Sequence, residues 1–188
     1  MTSRVGSFLP RSRSRHGRFH IGGANRERAR ERPTRGEPSN SPRYNPPMRP
    51  ITVLFICIGN TCRSPMAEAI ARSLGGDRLE VHSAGLSPTG RVAEESKAAL
   101  QALGYPSDGL SSKGLDQVPR DAFDVVVSLI GPAGLRFLPY GLAARCEEWS
   151  IRDPYGDDED VYLSVARTIE GRVHALVADL LGPELPAI

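Results

Sequence analysis

An almost unbroken apolar run, Ile51-Thr52-Val53-Leu54-Phe55-Ile56-Cys57-Ile58, opens the hydrophobic pattern of the chain. It is rich in β-branched residues and shows no polar alternation, which predicts a strand buried on both faces of a parallel sheet. Gly59-Asn60 break the run, and Ser64-Pro65 predict a helix start, with Ser as cap and Pro at the first helical position. Met66, Ala67, Ile70 and Leu74 then repeat at helical spacing until Gly75-Gly76 stop the element. Leu79-Glu80-Val81 reads as a short second strand closed by Ser83-Ala84-Gly85, and a second helix is expected over roughly 91–103, with Gly104 as its stop. Phe123–Leu129 is a second buried-looking strand pattern, followed by a helical stretch near 132–138 and a short strand near Arg145-Cys146-Glu147. The last helix is expected from about Asp160 to Leu181 on the stripe Val161, Val165, Ile169, Val173, Leu176 and Leu180, with Gly171 a mild defect inside it.

Strands alternating with helices predict an α/β fold: a four-stranded parallel sheet with helices on both faces. In such sheets ligands bind at the carboxyl ends of the strands, which directs attention to the loop after strand one.

Charge divides the chain. Residues 1–50 hold twelve Arg, no Lys and three Glu, a net of +9, whereas residues 51–188 carry a net of −7, so the overall +2 describes neither part. Seven of the sixteen prolines and very few large apolar residues lie in the first fifty, a composition that predicts a basic disordered tail over residues 1–49. Four readings of the tail stand side by side: contact with nucleic acid or an acidic lipid surface, a transit peptide (against which Glu27, Glu31 and Glu37 count), and an incidental segment, with Met48 as an alternative start. Residues 50–188 form the folded domain. No run approaches the roughly 20 apolar residues of a membrane span, and no secretory signal pattern is present. Three cysteines, an odd number, point away from a disulfide scaffold and toward a cytoplasmic setting. His16, His20, His82 and His174 form no ligand cluster with them, so neither metal nor cofactor is expected.

The loop after strand one reads Cys57-Ile58-Gly59-Asn60-Thr61-Cys62-Arg63-Ser64-Pro65. Its N–H groups can converge on one point at a helix N-terminus, where the dipole favours an anion. Gly59 and Asn60 tolerate left-handed backbone, and the planar fork of Arg63 suits two phosphate oxygens. The same field favours a thiolate at Cys57, to which Ser64 can donate a hydrogen bond. A bare Cys-x5-Arg is weak evidence, since Cys146 and Arg152 share that spacing without the glycine or the helix start. The conjunction of strand, Gly-Asn, Arg, Ser-Pro and helix is what carries the argument.

Cys57 to Pro65, followed by Met66-Ala67-Glu68, resembles the active-site signature of the low-molecular-weight protein tyrosine phosphatases, of the bacterial type, over about residues 51–182. Asp153-Pro154-Tyr155 resembles the late loop that carries the general acid in that family. The resemblance implies Cys57 as nucleophile, Arg63 as phosphate binder, Ser64 as thiolate-stabilising hydroxyl and Asp153 as acid. It further implies that Ile58, Gly59, Asn60, Thr61 and Cys62 wrap the phosphate, that Tyr155 flanks the substrate, and that Asn60 and Ser83 prop the loop. The implied activity is hydrolysis of phosphotyrosine in a phosphorylated protein, by a monomer or weak dimer. Thr61 resembles the branch that acts on phosphoarginine, where most tyrosine-directed members carry an aliphatic residue. Thioredoxin-coupled arsenate reductases share the fold, but they need two further cysteines after strand three, where this chain has Ser128-Leu129-Ile130-Gly131-Pro132-Ala133. A phosphate-binding module without catalysis is opposed by the complete catalytic set. The acidic run Asp157-Asp158-Glu159-Asp160 either favours basic sequence around the substrate or caps the last helix. Cys62, five residues from Cys57, either closes a reversible regulatory disulfide or is a small buried loop residue.

Overall fold

The computed structural model describes residues 49–119 and 123–182; the expected basic tail, apart from Arg49, lies outside them. The elements follow in the order β1 (Ile51–Cys57), α1 (Arg63–Gly75), β2 (Leu79–Gly85), α2 (Glu94–Ala102), β3 (Phe123–Ser128), α3 (Pro132–Leu135), β4 (Ala143–Glu148) and α4 (Glu159–Leu181). Short 3-10 turns cover Gly76–Arg78 and Leu115–Gln117.

All strands are parallel, in the order β2-β1-β3-β4. The two-face burial expected of β1 holds: Val53 and Phe55 join one core, Leu54 and Ile56 the other, and all four are fully buried. The two faces are covered unequally. Val53, Phe55, Val125 and Val127 pack against α1, α2 and α4, through residues such as Ile70, Leu100, Ile169 and Val173. The opposite face is closed by the short helix α3 and by loop and turn residues, chiefly Val118, with Leu115, Leu135, Leu138 and Leu142 partly buried against it. The α4 stripe reads as expected, and the helix runs unbroken through Gly171. No helix among the described residues is long and apolar enough to cross a membrane.

Four expectations need correction. Helix α1 begins at Arg63, after Cys62, and no side chain caps it, so Ser64 is not an N-cap. Strand β2 runs through Ser83-Ala84-Gly85, which the pattern assigns to its closing turn. These residues continue the parallel pairing with Phe55, Ile56 and Cys57, and the loop after β1 lies against the last of them: a Cβ on Gly85 would stand 2.7 Å from the Ile58 carbonyl oxygen and 2.8 Å from the Asn60 nitrogen. Helix α2 is shorter than expected, starting at Glu94, because segment 86–93 is spent on hydrogen bonds to the same loop. The helix expected near 132–138 is the single turn of α3.

Arg49 belongs to the body rather than the tail. Its guanidinium binds both carboxylate oxygens of Asp124, at 2.8 and 2.7 Å, and Thr52 adds backbone N–H and hydroxyl bonds at 2.9 and 3.0 Å. This clamp joins the starts of β1 and β3, and the hydrogen bonds from Arg49 and Thr52 hold the Asp124 carboxyl well below its usual range. A carboxylate with a depressed folded-state value stabilises above the ordinary range of about 4 and loses that contribution as pH falls through the folded value. Asp124→Asn is therefore expected to destabilise by about 1–2 kcal/mol at neutral pH through the Thr52 bonds. Thermal melts of the two proteins should start to approach each other as pH falls below about 4 and continue to do so toward the lower folded-state value; a difference that is constant with pH would show that the carboxylate charge contributes nothing.

Candidate active site

The site sits where β1 ends, beside β3, at the point from which the chain proceeds to opposite sides of the sheet. Four carbonyls of the loop are tied outward: Cys57, Ile58, Gly59 and Thr61 accept from the N–H groups of Leu86, Ser87, Thr89 and Ala93 at 2.9–3.1 Å. Asn60 takes positive φ, 46°, the one described non-glycine residue to do so. Carbonyls out and a left-handed residue between them is the backbone arrangement of an anion nest, here running into the N-terminus of α1. Gly59 does not take the left-handed conformation. It serves by close packing, since a Cβ there would meet Thr61 Oγ1 at 3.0 Å and Thr89 Cγ2 at 3.1 Å.

A cavity of about 190 Å³ opens inside the loop, lined by Cys57, Ile58, Gly59, Thr61, Cys62, Arg63, Asp153 and Tyr155, all anticipated, and by Ser87 and Thr89, which were not. Cys57 is 2% exposed, whereas Ile58 and Tyr155 are 52% and 63% exposed, so a buried thiol lies beneath a mouth flanked by two apolar side chains.

Arg63 is buried, and its Nη1 donates to the Ile151 carbonyl at 3.2 Å. Its Nη2 forms an ion pair with Asp153 Oδ2, while its buried Nε has no partner among the described residues. The guanidinium is thus aimed by the backbone just after β4 and tethers the Asp153 carboxylate, whose side chain is 45% exposed, over the cavity. An anion entering the nest can take Nε and exchange for the Asp153 contact.

Behind the loop, Ser64 Oγ lies 3.0 Å from Cys57 Sγ. Asn60 Nδ2 donates to Ser64 Oγ and to Ser83 Oγ, both at 2.8 Å. Asn60 and Ser83 are thus brought into contact behind the loop, and Glu68 and Lys113 join them. Ser83 donates to the buried carboxylate of Glu68, and the Lys113 N–H donates to Asn60 Oδ1 at 2.8 Å. A charge on the buried face of an amphipathic helix reads as solvated in sequence; only its packing against β2 and the 111–113 segment shows otherwise.

Of the other two cysteines, Cys62 lines the cavity wall and Cys146 is exposed on β4. Cys62 is buried with Sγ 3.5 Å from the Tyr162 hydroxyl, and burial pushes its thiol above the ordinary value. All three thiols are free. In the acidic run, Asp158 caps α4 by accepting from Val161 N at 3.3 Å and Asp157 pairs with Arg152 at 3.0 Å, so both are engaged structurally.

Known proteins are similar to this chain in sequence and fold. The glutaredoxin arsenate reductase of Synechocystis sp. is 33% identical over 129 residues, covering 68% of this chain and 97% of that protein. Arsenate reductase 1 of Staphylococcus epidermidis is 31% identical over 126 residues, covering 67% and 95%. An arsenate reductase solved in a phosphate binding state superposes with a TM-score of 0.61 at 32% identity, covering 68% and 97%. A tyrosine phosphatase of Escherichia coli K30, solved with sulphate, shares the fold at 21% identity and a TM-score of 0.60, covering 69% and 98%. The low molecular weight phosphotyrosine protein phosphatase family matches residues 52–183, from the start of β1 to just past α4. With the buried thiol, the nest and the arginine carried on that matched span, this chain belongs to the low molecular weight phosphotyrosine protein phosphatase family.

Proposed function

We propose that the protein is a cysteine-dependent phosphatase that hydrolyses phosphotyrosine in phosphorylated proteins. The observation that carries this reading is the Asp153 carboxylate, tethered by Arg63 at the mouth of the cavity that houses Cys57. The phosphoryl group enters the nest, its oxygens held by the loop N–H groups and Arg63. Cys57 Sγ attacks phosphorus in line, the S–P bond forms and the P–O bond to the tyrosine breaks, with Asp153 giving the leaving oxygen its proton. Asp153 then takes a proton from water, whose oxygen displaces the thiolate and releases phosphate. Ser64 supports the thiolate in both steps, and Ile58 and Tyr155 flank the ring.

One observation favours phosphoarginine as a second substrate. Thr61 Oγ1 contacts Thr89 Oγ1 and the Gly59 carbonyl, but that carbonyl already accepts from Thr89 N–H at 3.1 Å and Ser112 Oγ at 3.0 Å. The Thr61 proton is best spent on Thr89 Oγ1, whose own proton goes to the Arg91 carbonyl at 3.2 Å. Thr61 is then left with lone pairs on the cavity wall, an acceptor suited to a guanidinium N–H.

Arsenate reduction is the activity named for the relatives above. An internal disulfide relay does not suit this chain. Cys146 pairs in register with Val126, and Val126 with Leu54, three residues before Cys57 and two strands away. That separation is about 14 Å by strand geometry, beyond the roughly 7 Å limit for a bridge. Cys62, a buried thiol kept protonated, is a poor attacking group.

Initial rates of the purified protein on a phosphotyrosine peptide, phosphoarginine, and arsenate with a thiol donor test all three. Phosphotyrosine is expected to turn over fastest. Thr61→Ile is expected to leave it within about threefold while lowering kcat/KM for phosphoarginine by about tenfold or more. A faster rate on arsenate overturns the phosphatase reading, and equal effects of Thr61→Ile on both phosphosubstrates remove the role given to its hydroxyl.

A further inference from the structure

We propose that Glu68 is a positioning residue for the nucleophile: its buried carboxylate anchors one end of a hydrogen-bond network, the relay Ser83–Asn60–Ser64, whose other end is Cys57. The inference rests on the reading of Cys57 as nucleophile and adds a group from the buried face of α1.

The relay can be oriented atom by atom. The Lys113 backbone N–H can only donate, so the Asn60 atom it meets is Oδ1, and the amide is fixed without ambiguity. Both Nδ2 hydrogens then point at hydroxyls, one to Ser64 and one to Ser83. Ser83, accepting from Asn60, has one proton left and gives it to Glu68 Oε2. Ser64, accepting likewise, has one proton left for Cys57 Sγ at 3.0 Å, with the Ala84 carbonyl at 3.4 Å the weaker alternative. The Ser83 hydroxyl is committed because Glu68 is a pure acceptor, which holds Ser83 as an acceptor for Asn60 and keeps Asn60 in place for Ser64. The carboxylate pairs with two cations, Arg72 one turn along α1 and Lys113 Nζ at 3.3 Å. Lys113 therefore touches the relay twice, at Asn60 through its backbone and at Glu68 through its ammonium. Around Cys57 itself the charged groups lining the cavity are Arg63 and Asp153.

A neutral amide at position 68 changes the polarity. A Gln side chain that turns its amide N–H toward Ser83 Oγ takes away the acceptor for the Ser83 proton, which must then find another partner and pull Ser83 away from Asn60. Asn60 then loosens, Ser64 loses the contact that aims its proton, and the thiolate loses a donor.

The test compares wild type with Glu68→Gln by two readouts. The first is the pH dependence of iodoacetamide alkylation of Cys57, resolved from Cys62 and Cys146 by mass spectrometry. The second is kcat and KM on an aryl phosphate. Glu68→Gln is expected to move the alkylation midpoint to higher pH and to lower kcat about tenfold, with KM within about twofold. On a Ser83→Ala background, which cuts the relay, Glu68→Gln should add less than about twofold. An unchanged alkylation profile in a folded Glu68→Gln protein overturns the proposal, as do additive effects in the double variant. Should Glu68→Gln fail to fold, Ser83→Ala carries the test alone, since it breaks the relay while leaving Glu68 its two cations; no shift of its midpoint overturns the relay. Alkylation needs no substrate, so failure here is distinct from failure of the phosphatase reading, which appears as no phosphatase turnover by wild type.

Discussion

Cys57→Ser is expected to abolish turnover, by about 10⁴-fold or more, while phosphate still binds. The loss follows because a serine hydroxyl ionises far less readily than a thiol and Asp153 is assigned to the leaving group, whereas a thiolate can be supported by the nest and by Ser64 at 3.0 Å. Binding survives because the groups that hold the oxygens are elsewhere, on the loop backbone and Arg63. Removing a thiolate from beside the anion also removes a repulsion, so calorimetry should give a Kd for phosphate equal to or tighter than wild type. Appreciable turnover by the serine variant would remove the covalent mechanism, and lost phosphate binding would show that the sulfur itself shapes the nest.

Asp153→Asn is expected to show the second largest effect, and its size should depend on the leaving group. A general acid contributes about 10²–10⁴-fold when the leaving oxygen is basic, and little when it departs readily as an anion. The rate on a phosphotyrosine peptide should thus fall about 100-fold or more, and on an activated aryl phosphate by much less. Asn is the informative replacement because Asp153 also pairs with Arg63, and an amide oxygen can keep that contact without carrying a proton to donate. Equal losses on both substrates would assign Asp153 to holding Arg63 rather than to proton transfer.

The strand, loop and helix of residues 51–75 are legible in sequence because each is specified locally. A strand buried on both faces must be apolar throughout, and a phosphate loop needs its glycine, its arginine and its helix start at fixed spacing along one segment. Legibility fails where a residue's role is set by what packs on it. Ser64 has the composition of a cap, yet it stands inside α1 with its hydroxyl turned to Cys57. Ser83-Ala84-Gly85 has the composition of a turn, yet it is strand, paired with Phe55, Ile56 and Cys57, and at its end only a glycine lets the loop come within 3 Å of where a Cβ would be. Thr89 and Lys113 lie in irregular segments with no periodicity to mark them.

From the sequence alone, then, come the elements, the sheet class and the residue types able to do thiolate chemistry on a phosphate. Only the tertiary structure decided their company. Asp153 reaches Arg63 across 90 positions, Lys113 reaches Asn60 across 53, and Glu68 reaches Ser83 across 15. The physical reason is that β1 pairs with β2 on one side and β3 on the other, so loops remote in the chain converge on the end of one strand. Hydrophobic period encodes which face of an element is buried, but not which neighbour's hydrogen-bonding groups will meet it there.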